Sequence, residues 1–281
     1  MYKRISNTVI VTGRIGIVDA ALVCYIEDIK KRADQLLIHV TESIYNGIIP
    51  KDHIMEFVAS LSIVDAVIEG DSEIKNTDQQ NTCLVHLPEK KLQQYSLDKI
   101  LKKISSETSG NKSETNKLIG LKELVKRYGS NPHQRKIKIG LVSGSFDLIH
   151  LGHVRYIKAA KELVDVLIVT TMSTDSINQQ EKNIMGDRPI YSQEDRVKVL
   201  SSLRSVDYIV VFEELNCKEV IRAIRPNYFV KHEKDMSRQI VKEECELVEN
   251  LWGKVVIIRD DSLYSSTDII NYIRNINSNE R

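Results

Sequence analysis

The chain has 281 residues, 42% of them hydrophobic and 28% charged, with only 12 Gly and 5 Pro, which excludes collagen-like, low-complexity and disordered chains and leaves room for one large domain or two modest ones. With 40 Lys and Arg against 39 Asp and Glu, the formal charge of +1 is too small to hold a nucleic-acid backbone or an anionic membrane by field alone. No apolar run reaches about 18 residues, the N-terminal apolar segment is too short for a signal peptide, and Cys24, Cys83, Cys217 and Cys245 form no C-x-x-C pair. A cytoplasmic chain with reduced thiols and no resident metal is expected, with neither nucleic acid nor membrane as partner.

In chain order, the first informative stretch is Val11–Ile38, which aligns without gaps on Val142–Val169 at a constant offset of 131, with eight of 28 pairs identical. Val64-Asp65 then matches Val206-Asp207, and Tyr95-Ser96-Leu97-Asp98-Lys99-Ile100 faintly echoes Tyr264-Ser265-Ser266-Thr267-Asp268-Ile269. These matches imply two copies of one fold. The run SSETSGNKSETNK has the composition of a flexible linker, so the reading is a first domain at 1–104, a linker at 105–117 and a second domain at 118–281. The first copy shows no clear counterpart to Cys217–Trp252.

The second domain opens with helical spacing over Leu118–Tyr128, and Gly129 to Pro132 reads as a stop, with the glycine expected in a left-handed cap. From Ile137 the pattern alternates: IKIGLVS, a helix over Leu151–Val164, DVLIVTT, Ser192–Leu203, DYIVVF, Cys217–Ile224, NYFVK, Ser237–Trp252, KVVIIR and Thr267–Ile276. Near-continuous apolar strands separated by helices predict a parallel sheet covered on both faces, whose ligand lies beyond the carboxyl ends of the strands.

The densest polar group falls at the first junction of that pattern: Gly144-Ser145-Phe146-Asp147-Leu148-Ile149-His150-Leu151-Gly152-His153. Gly144 permits close backbone approach, amides at a helix start favour an anion, and two histidines three apart share one face of the first turn. Together they suit a phosphate chain. This run is similar to the signature G-x-F-D-x-x-H-x-G-H of the HxGH nucleotidyltransferase superfamily, and Tyr264-Ser265-Ser266-Thr267-Asp268-Ile269-Ile270 resembles that family's Ser/Thr-rich start to the last helix. The resemblance implies an α/β fold with two Rossmann-like parallel-sheet domains, the first degenerate. It implies nucleotide contacts from Gly144, Ser145, Phe146, Asp147, His150, Gly152 and His153, from Lys231, and from Ser265, Ser266 and Thr267.

Leu148 and Asn271 stand where pantetheine-phosphate and nicotinamide-mononucleotide adenylyltransferases usually carry Pro and Arg. The chain therefore looks like the cytidylyltransferase-like branch, nearest the adenylyltransferase domain of bacterial ADP-heptose synthesis. Arg188-Pro189-Ile190, Glu194-Asp195-Arg196, Val206-Asp207 and Phe229-Val230-Lys231 carry that likeness. Lys231-His232-Glu233-Lys234-Asp235 departs from the Lys-Gly-Gly-Asp-Tyr type of the heptose enzymes, which leaves base and sugar open, and the Arg of the glycerol-phosphate cytidylyltransferases has no clean match around Arg259.

The reaction so implied is transfer of a nucleoside monophosphate from an NTP, ATP by resemblance, to a phosphorylated small molecule such as a sugar 1-phosphate, with pyrophosphate leaving and Mg²⁺ carried with the NTP. The alternatives are a cytidylyltransferase using CTP and glycerol 3-phosphate or a similar alcohol, and a nucleotide-binding regulator without turnover. His150 and His153 are assigned to the triphosphate and its transition-state charge. Lys182 and Arg188, in the polar Ser173–Tyr191 segment read as a mobile loop, are candidate clamps on the substrate phosphate, and Arg196, one turn after Ser192 in a Ser-x-x-Asp box, is placed to point at phosphates.

Under the offset, Asp19, Ala21 and Leu22 take the places of His150, Gly152 and His153, so the first copy is expected to be catalytically silent and to serve as an interface. The resemblance implies a homo-oligomer, a dimer. His39, His53, His86 and His133 belong to no motif, and His232 is singled out only because Lys231 adjoins it.

Overall fold

Runs of Val, Ile and Leu become parallel strands, as segments covered on both faces must. The computed structural model describes residues 6–45, 47–70, 74, 82–88, 116–129, 135–180, 188–259 and 264–279. The described residues divide into two compact units, one drawn from Met1–Lys102, Ile149–Leu151 and Ser262–Arg281, the other from Lys103–Leu148 and Gly152–Asp261. The expected linker lies outside the described residues up to position 115.

In the first unit β1 (Ser6–Ile15), α1 (Ala20–Lys30), β2 (Ala33–Ser43), α2 (Lys51–Ala59), β3 (Ala66–Ile68) and β4 (Thr82–His86) follow one another, and the strands form a parallel sheet in the order β3-β2-β1-β4. The second chain segment runs α3 (Leu121–Tyr128), β5 (Ile139–Gly144), α4 (Leu151–Glu162), β6 (Val166–Met172), α5 (Thr174–Asn178), α6 (Gln193–Ser202), β7 (Tyr208–Phe212), α7 (Lys218–Ile224), β8 (Tyr228–His232), α8 (Gln239–Asn250), β9 (Lys254–Ile258) and α9 (Ser266–Asn279). Its five strands are parallel in the order β7-β6-β5-β8-β9. Helix α9 falls with the first unit. On one face of the five-stranded sheet, Leu141, Ile168 and Phe229 pack with Ile221 of α7, Val248 of α8 and Leu124 of α3 in one buried cluster. Each such side chain contributes about 1.5–3 kcal/mol by leaving water.

The two sheets share one plan in detail. Val11 pairs with Ile38 across β1 and β2, and Val142 pairs with Val169 across β5 and β6, the residues that the 131-residue offset relates. A side-chain clasp repeats as well. Lys30 Nζ meets Asp65 Oδ2 at 2.7 Å while Leu36 N donates to the same oxygen at 2.6 Å; Lys161 Nζ meets Asp207 Oδ2 at 2.6 Å while Leu167 N donates to it at 2.7 Å. Helix α1 or α4 is thereby tied to the strand after next.

Two expectations are corrected. Strand β4 pairs with β1 as β8 pairs with β5, with Val9 opposite Cys83 and Gly140 opposite Tyr228, so the first copy does have a counterpart to β8. Among the described residues its sheet ends there, without an equivalent of β9. Gly129 follows α3 with φ −71°, not in the left-handed region; glycine is needed because a Cβ would sit 2.5 Å from the Val125 carbonyl oxygen.

Because Leu36 and Leu167 are buried, losing the carboxylate strands an amide donor, at about 1–3 kcal/mol. Asp65→Ala and Asp207→Ala are each expected to lower thermal stability by that amount, checked by calorimetry of the full chain. Unchanged transitions in both variants would show that the repeated clasp does not stabilise either unit.

Candidate active site

In the five-stranded sheet the chain leaves β5 toward β6 on one side and returns to β8 on the other, so a crevice opens at the carboxyl ends of these two strands, the place where parallel sheets bind ligands. Gly144 closes β5 and Lys231-His232 close β8. A Cβ on Gly144 would lie 3.2 Å from the Phe146 ring, tight enough that the ring would have to give way. Phe146 takes a left-handed backbone, φ 46°, at a cost of ~1 kcal/mol. Burial of its ring, which is 2% exposed, offsets that cost, and the ring stands edge-on to His153 of α4 with centroids 5.6 Å apart.

Asp147 is buried, and its carboxylate accepts from Ile190 N at 2.8 Å, Tyr191 N at 2.9 Å and Arg188 NH1 at 2.8 Å. It fastens the returning Arg188–Tyr191 segment onto the loop after β5. Arg188 is thus placed at the site edge with its guanidinium on Asp147. Lys182 lies outside the described residues. The Ser173–Tyr191 segment, expected to be wholly loop, begins with the short helix α5, which Ser173 caps and which buries Ser176 and Ile177.

Arg196, 1% exposed, lies beneath this loop. The Ser192–Asp195 capping box forms, with Asp195 N on Ser192 Oγ at 3.1 Å, and one residue later α6 sends the Arg196 NH1 to Ser145 O and Thr171 Oγ1, both at 2.8 Å. Thr171 Oγ1 itself donates to Ser145 O at 3.0 Å. A trans peptide points its C=O and N–H in opposite directions, so drawing Ser145 O onto Arg196 and Thr171 turns the Phe146 N–H away from them. Nε and NH2 of Arg196 have no hydrogen-bond partner among the described residues. Burial lowers its pKa to about 10, against the pull of Asp147 and Glu194, so the group stays charged at neutral pH.

Lys231, 3% exposed, donates to Ser143 Oγ at 2.9 Å and pairs with Glu244 Oε2 at 3.3 Å, its Nζ 4.9 Å from the Phe229 ring centroid. Glu244 Oε1 accepts from Cys217 N at 2.9 Å, and burial followed by the Glu244 charge raises the Cys217 thiol pKa. Sequence reasoning missed Glu244, although a signal existed: on α8 it shares the apolar stripe of Val241, Cys245 and Val248. It also missed Tyr156, whose hydroxyl donates to Val230 O and whose pKa burial raises. His232 Nδ1 accepts from Lys234 N at 3.1 Å, which caps the 3-10 turn Glu233–Ser237 in the place of a Gly-Gly pair.

In the first unit, His150 precedes α4 and stands edge-on to Tyr264, centroids 5.6 Å apart. Ser265 caps α9 by accepting from Asp268 N at 3.3 Å, and its hydroxyl and amide in turn donate to Asp268 Oδ2, at 2.7 and 2.6 Å. Thr267, in the first turn of α9, is exposed. At the position matching His150, the Asp19 carboxylate caps α1 by accepting from Leu22 N at 3.0 Å. Leu22, in the place of His153, is buried, and the Tyr45 ring lies so close to Gly16 that a Cβ there would meet it at 2.7 Å. Burial, then Asp19, pushes the Tyr45 phenol up to about 12. Among the described residues no three His, Cys, Asp or Glu side chains gather as a metal site.

Residues 141–272 match the cytidylyltransferase-like family. The chain is similar to the bifunctional protein HldE of Aliarcobacter butzleri, 37% identical over 153 residues, and to that of Nitratiruptor sp., 38% identical over 153 residues. Each match takes in 53% of this chain but only 31% and 32% of those proteins, so the chain spans about a third of the length of the relatives it matches. Among solved structures, a lipopolysaccharide core biosynthesis protein from Thermoplasma volcanium is 25% identical, with 46% of this chain and 99% of that one covered and a TM-score of 0.37. The match to the cytidylyltransferase-like family takes in the G-x-F-D-x-x-H-x-G-H run, which stands intact at the switch point of a parallel sheet.

Proposed function

We propose that the protein is a nucleotidyltransferase that moves a nucleoside monophosphate, adenylyl in first choice, from an NTP to a phosphorylated small molecule such as a sugar 1-phosphate. The observation that carries this reading is the loop after β5. Arg196 and Thr171 hold its Ser145 carbonyl inward and so leave the Phe146 amide turned outward, ahead of a helix whose first turn carries His153. The similarity to HldE proteins supports the choice of ATP and a sugar phosphate.

In this reading a phosphate oxygen of the acceptor attacks the α-phosphorus in line. The new P–O bond forms as the bond to the bridging oxygen breaks, and pyrophosphate leaves with that electron pair. The acceptor brings its own anionic nucleophile, so the protein orients and neutralises. His150 and His153 donate to the phosphates, the amides near Ser145-Phe146 assist, Gly144 and Gly152 let the nucleotide approach, and Ser266 and Thr267 reach the outer phosphates. Lys182 and Arg188 clamp the acceptor phosphate, the latter from its place on Asp147. Arg196 acts through Ser145 as a positioning residue, and Lys231 acts from its pair with Glu244. Mg²⁺ enters with the nucleotide as part of the substrate. No helix among the described residues is long and apolar enough to cross a membrane, and we place the reaction in the cytoplasm, with the chain pairing as a dimer.

Pyrophosphate release across ATP and CTP, each with sugar 1-phosphates and glycerol 3-phosphate, tests the proposal. ATP with a sugar 1-phosphate is expected to turn over fastest. A clear preference for CTP and a phosphorylated alcohol would move the chain to the cytidylyl reaction, and tight binding without turnover on any pair would make it a regulator.

His150→Ala and His153→Ala are expected to lower kcat by roughly 10²–10³, the range for removing one donor aimed at developing charge; activity within a few-fold of wild type would defeat the assignment. Arg196→Lys keeps the charge but cannot bridge Ser145 and Thr171 with one planar fork. It should lose kcat by about tenfold or more, and kinetics equal to wild type would remove the loop-anchoring role.

A further inference from the structure

Three side chains of the first unit stand in line: His53 in the first turn of α2, Tyr264 ahead of α9, and His150 ahead of α4. His53 Nδ1 and the Tyr264 hydroxyl lie 3.2 Å apart in a hydrogen bond whose direction follows the imidazole tautomer. Their ring centroids are 5.6 Å apart with the planes tilted by 36°. Tyr264 in turn meets His150 edge to face, 5.6 Å between centroids and 63° between planes. The tyrosine is 4% exposed, so its hydroxyl is a buried polar group that needs partners, and His53 supplies one.

We propose that His53 is a positioning residue for His150, acting through Tyr264. The proposal rests on the nucleotidyl-transfer reading of His150. A hydrogen bond at the hydroxyl end fixes where the Tyr264 ring sits, and the edge-to-face contact passes that constraint to the His150 imidazole. A group that must meet a phosphoryl oxygen at hydrogen-bond distance loses rate steeply when displaced, up to about 100-fold for about 1 Å. An apolar residue at position 53 could pack against Tyr264 but would not supply this hydrogen bond. The first copy has lost its own anion seat, yet through α2 it holds a group that the chemistry uses.

The test is steady-state pyrophosphate release by full-length His53→Ala, His53→Asn, Tyr264→Phe and the His53→Ala/Tyr264→Phe double variant, using the NTP and phosphorylated acceptor that wild type turns over fastest. The expected result is a kcat about tenfold lower in each single alanine or phenylalanine variant, with KM for the NTP within about twofold of wild type. The double variant should be no worse than either single one, because both break the same link. His53→Asn, whose amide can stand in for Nδ1, should recover most of the rate. Wild-type kcat in His53→Ala, or additive losses in the double variant, overturns the proposal.

A second measurement does not depend on turnover. The ring-current shift that Tyr264 imposes on the His150 ring protons, read by proton NMR of the full chain, should shrink in His53→Ala and return in His53→Asn. Unchanged shifts overturn the link. If His150→Ala keeps wild-type activity, the nucleotidyl-transfer assignment fails, while the NMR comparison still decides whether His53 positions the ring.

Discussion

Burying the Asp147 carboxylate costs on the order of several kcal/mol unless each oxygen finds donors, and the chain meets that demand with the Ile190 and Tyr191 amides and the Arg188 guanidinium. The consequences spread from there. The segment returning toward α6 is fastened to the loop after β5, so the Ser192–Asp195 cap and Arg196 just beyond it arrive beneath that same loop. Phe146 is then held in a left-handed conformation that an isolated loop would not keep, with its ring beside His153.

The two copies answer one physical problem in two ways. A helix start leaves amide donors without partners and carries partial positive charge, so it calls for an anion. In the first copy the anion is built in: Asp19 accepts from Leu22 N, Leu22 is buried, and Tyr45 presses on Gly16, whose place in the second copy is taken by the buried Asp147. In the second copy the same position is His150, which brings no carboxylate, and in the proposed reading the phosphates of the nucleotide supply the anion. The scaffold is common to both, since strand register and the Lys–Asp clasp are the same in each.

Much of the architecture is legible in the sequence. Strands with both faces covered read as apolar runs, and the helices between them appear within a few residues of their expected bounds. The constant offset of 131 is itself a statement about register, because residues it relates must fall on equivalent strands, and Val11 and Val142 do. What escapes has a common cause, namely contacts between residues far apart in the chain. The sheet order and the role of β4 depend on pairings that local patterning does not encode. His53 shows no motif because Tyr264 is 211 positions away. Lys231 reads as a ligand-facing cation because its neutralising partner, Glu244, lies on the next long helix. Arg196 is legible as a phosphate-directed cation, and only the fold shows its guanidinium turned onto a carbonyl.

The charges around the loop after β5 explain why that carbonyl matters. Arg188 is neutralised by Asp147 and Lys231 by Glu244, whereas Arg196 bonds, among the described residues, the neutral oxygens of Ser145 and Thr171. Its charge therefore polarises the Ser145–Phe146 peptide, whose dipole runs from the buried guanidinium out to the Phe146 N–H. Chains of hydrogen bonds in a low dielectric strengthen one another, and a dipole already held in place stabilises developing negative charge without reorganising. The first copy supports the same logic by what it lacks. By the 142-residue spacing that relates Asp65 to Asp207, the place of Arg196 is taken by Ile54, which is 3% exposed. With the Asp19 carboxylate built in at its helix start, the first copy carries a buried apolar side chain at this position and is spared the cost of burying a charge there.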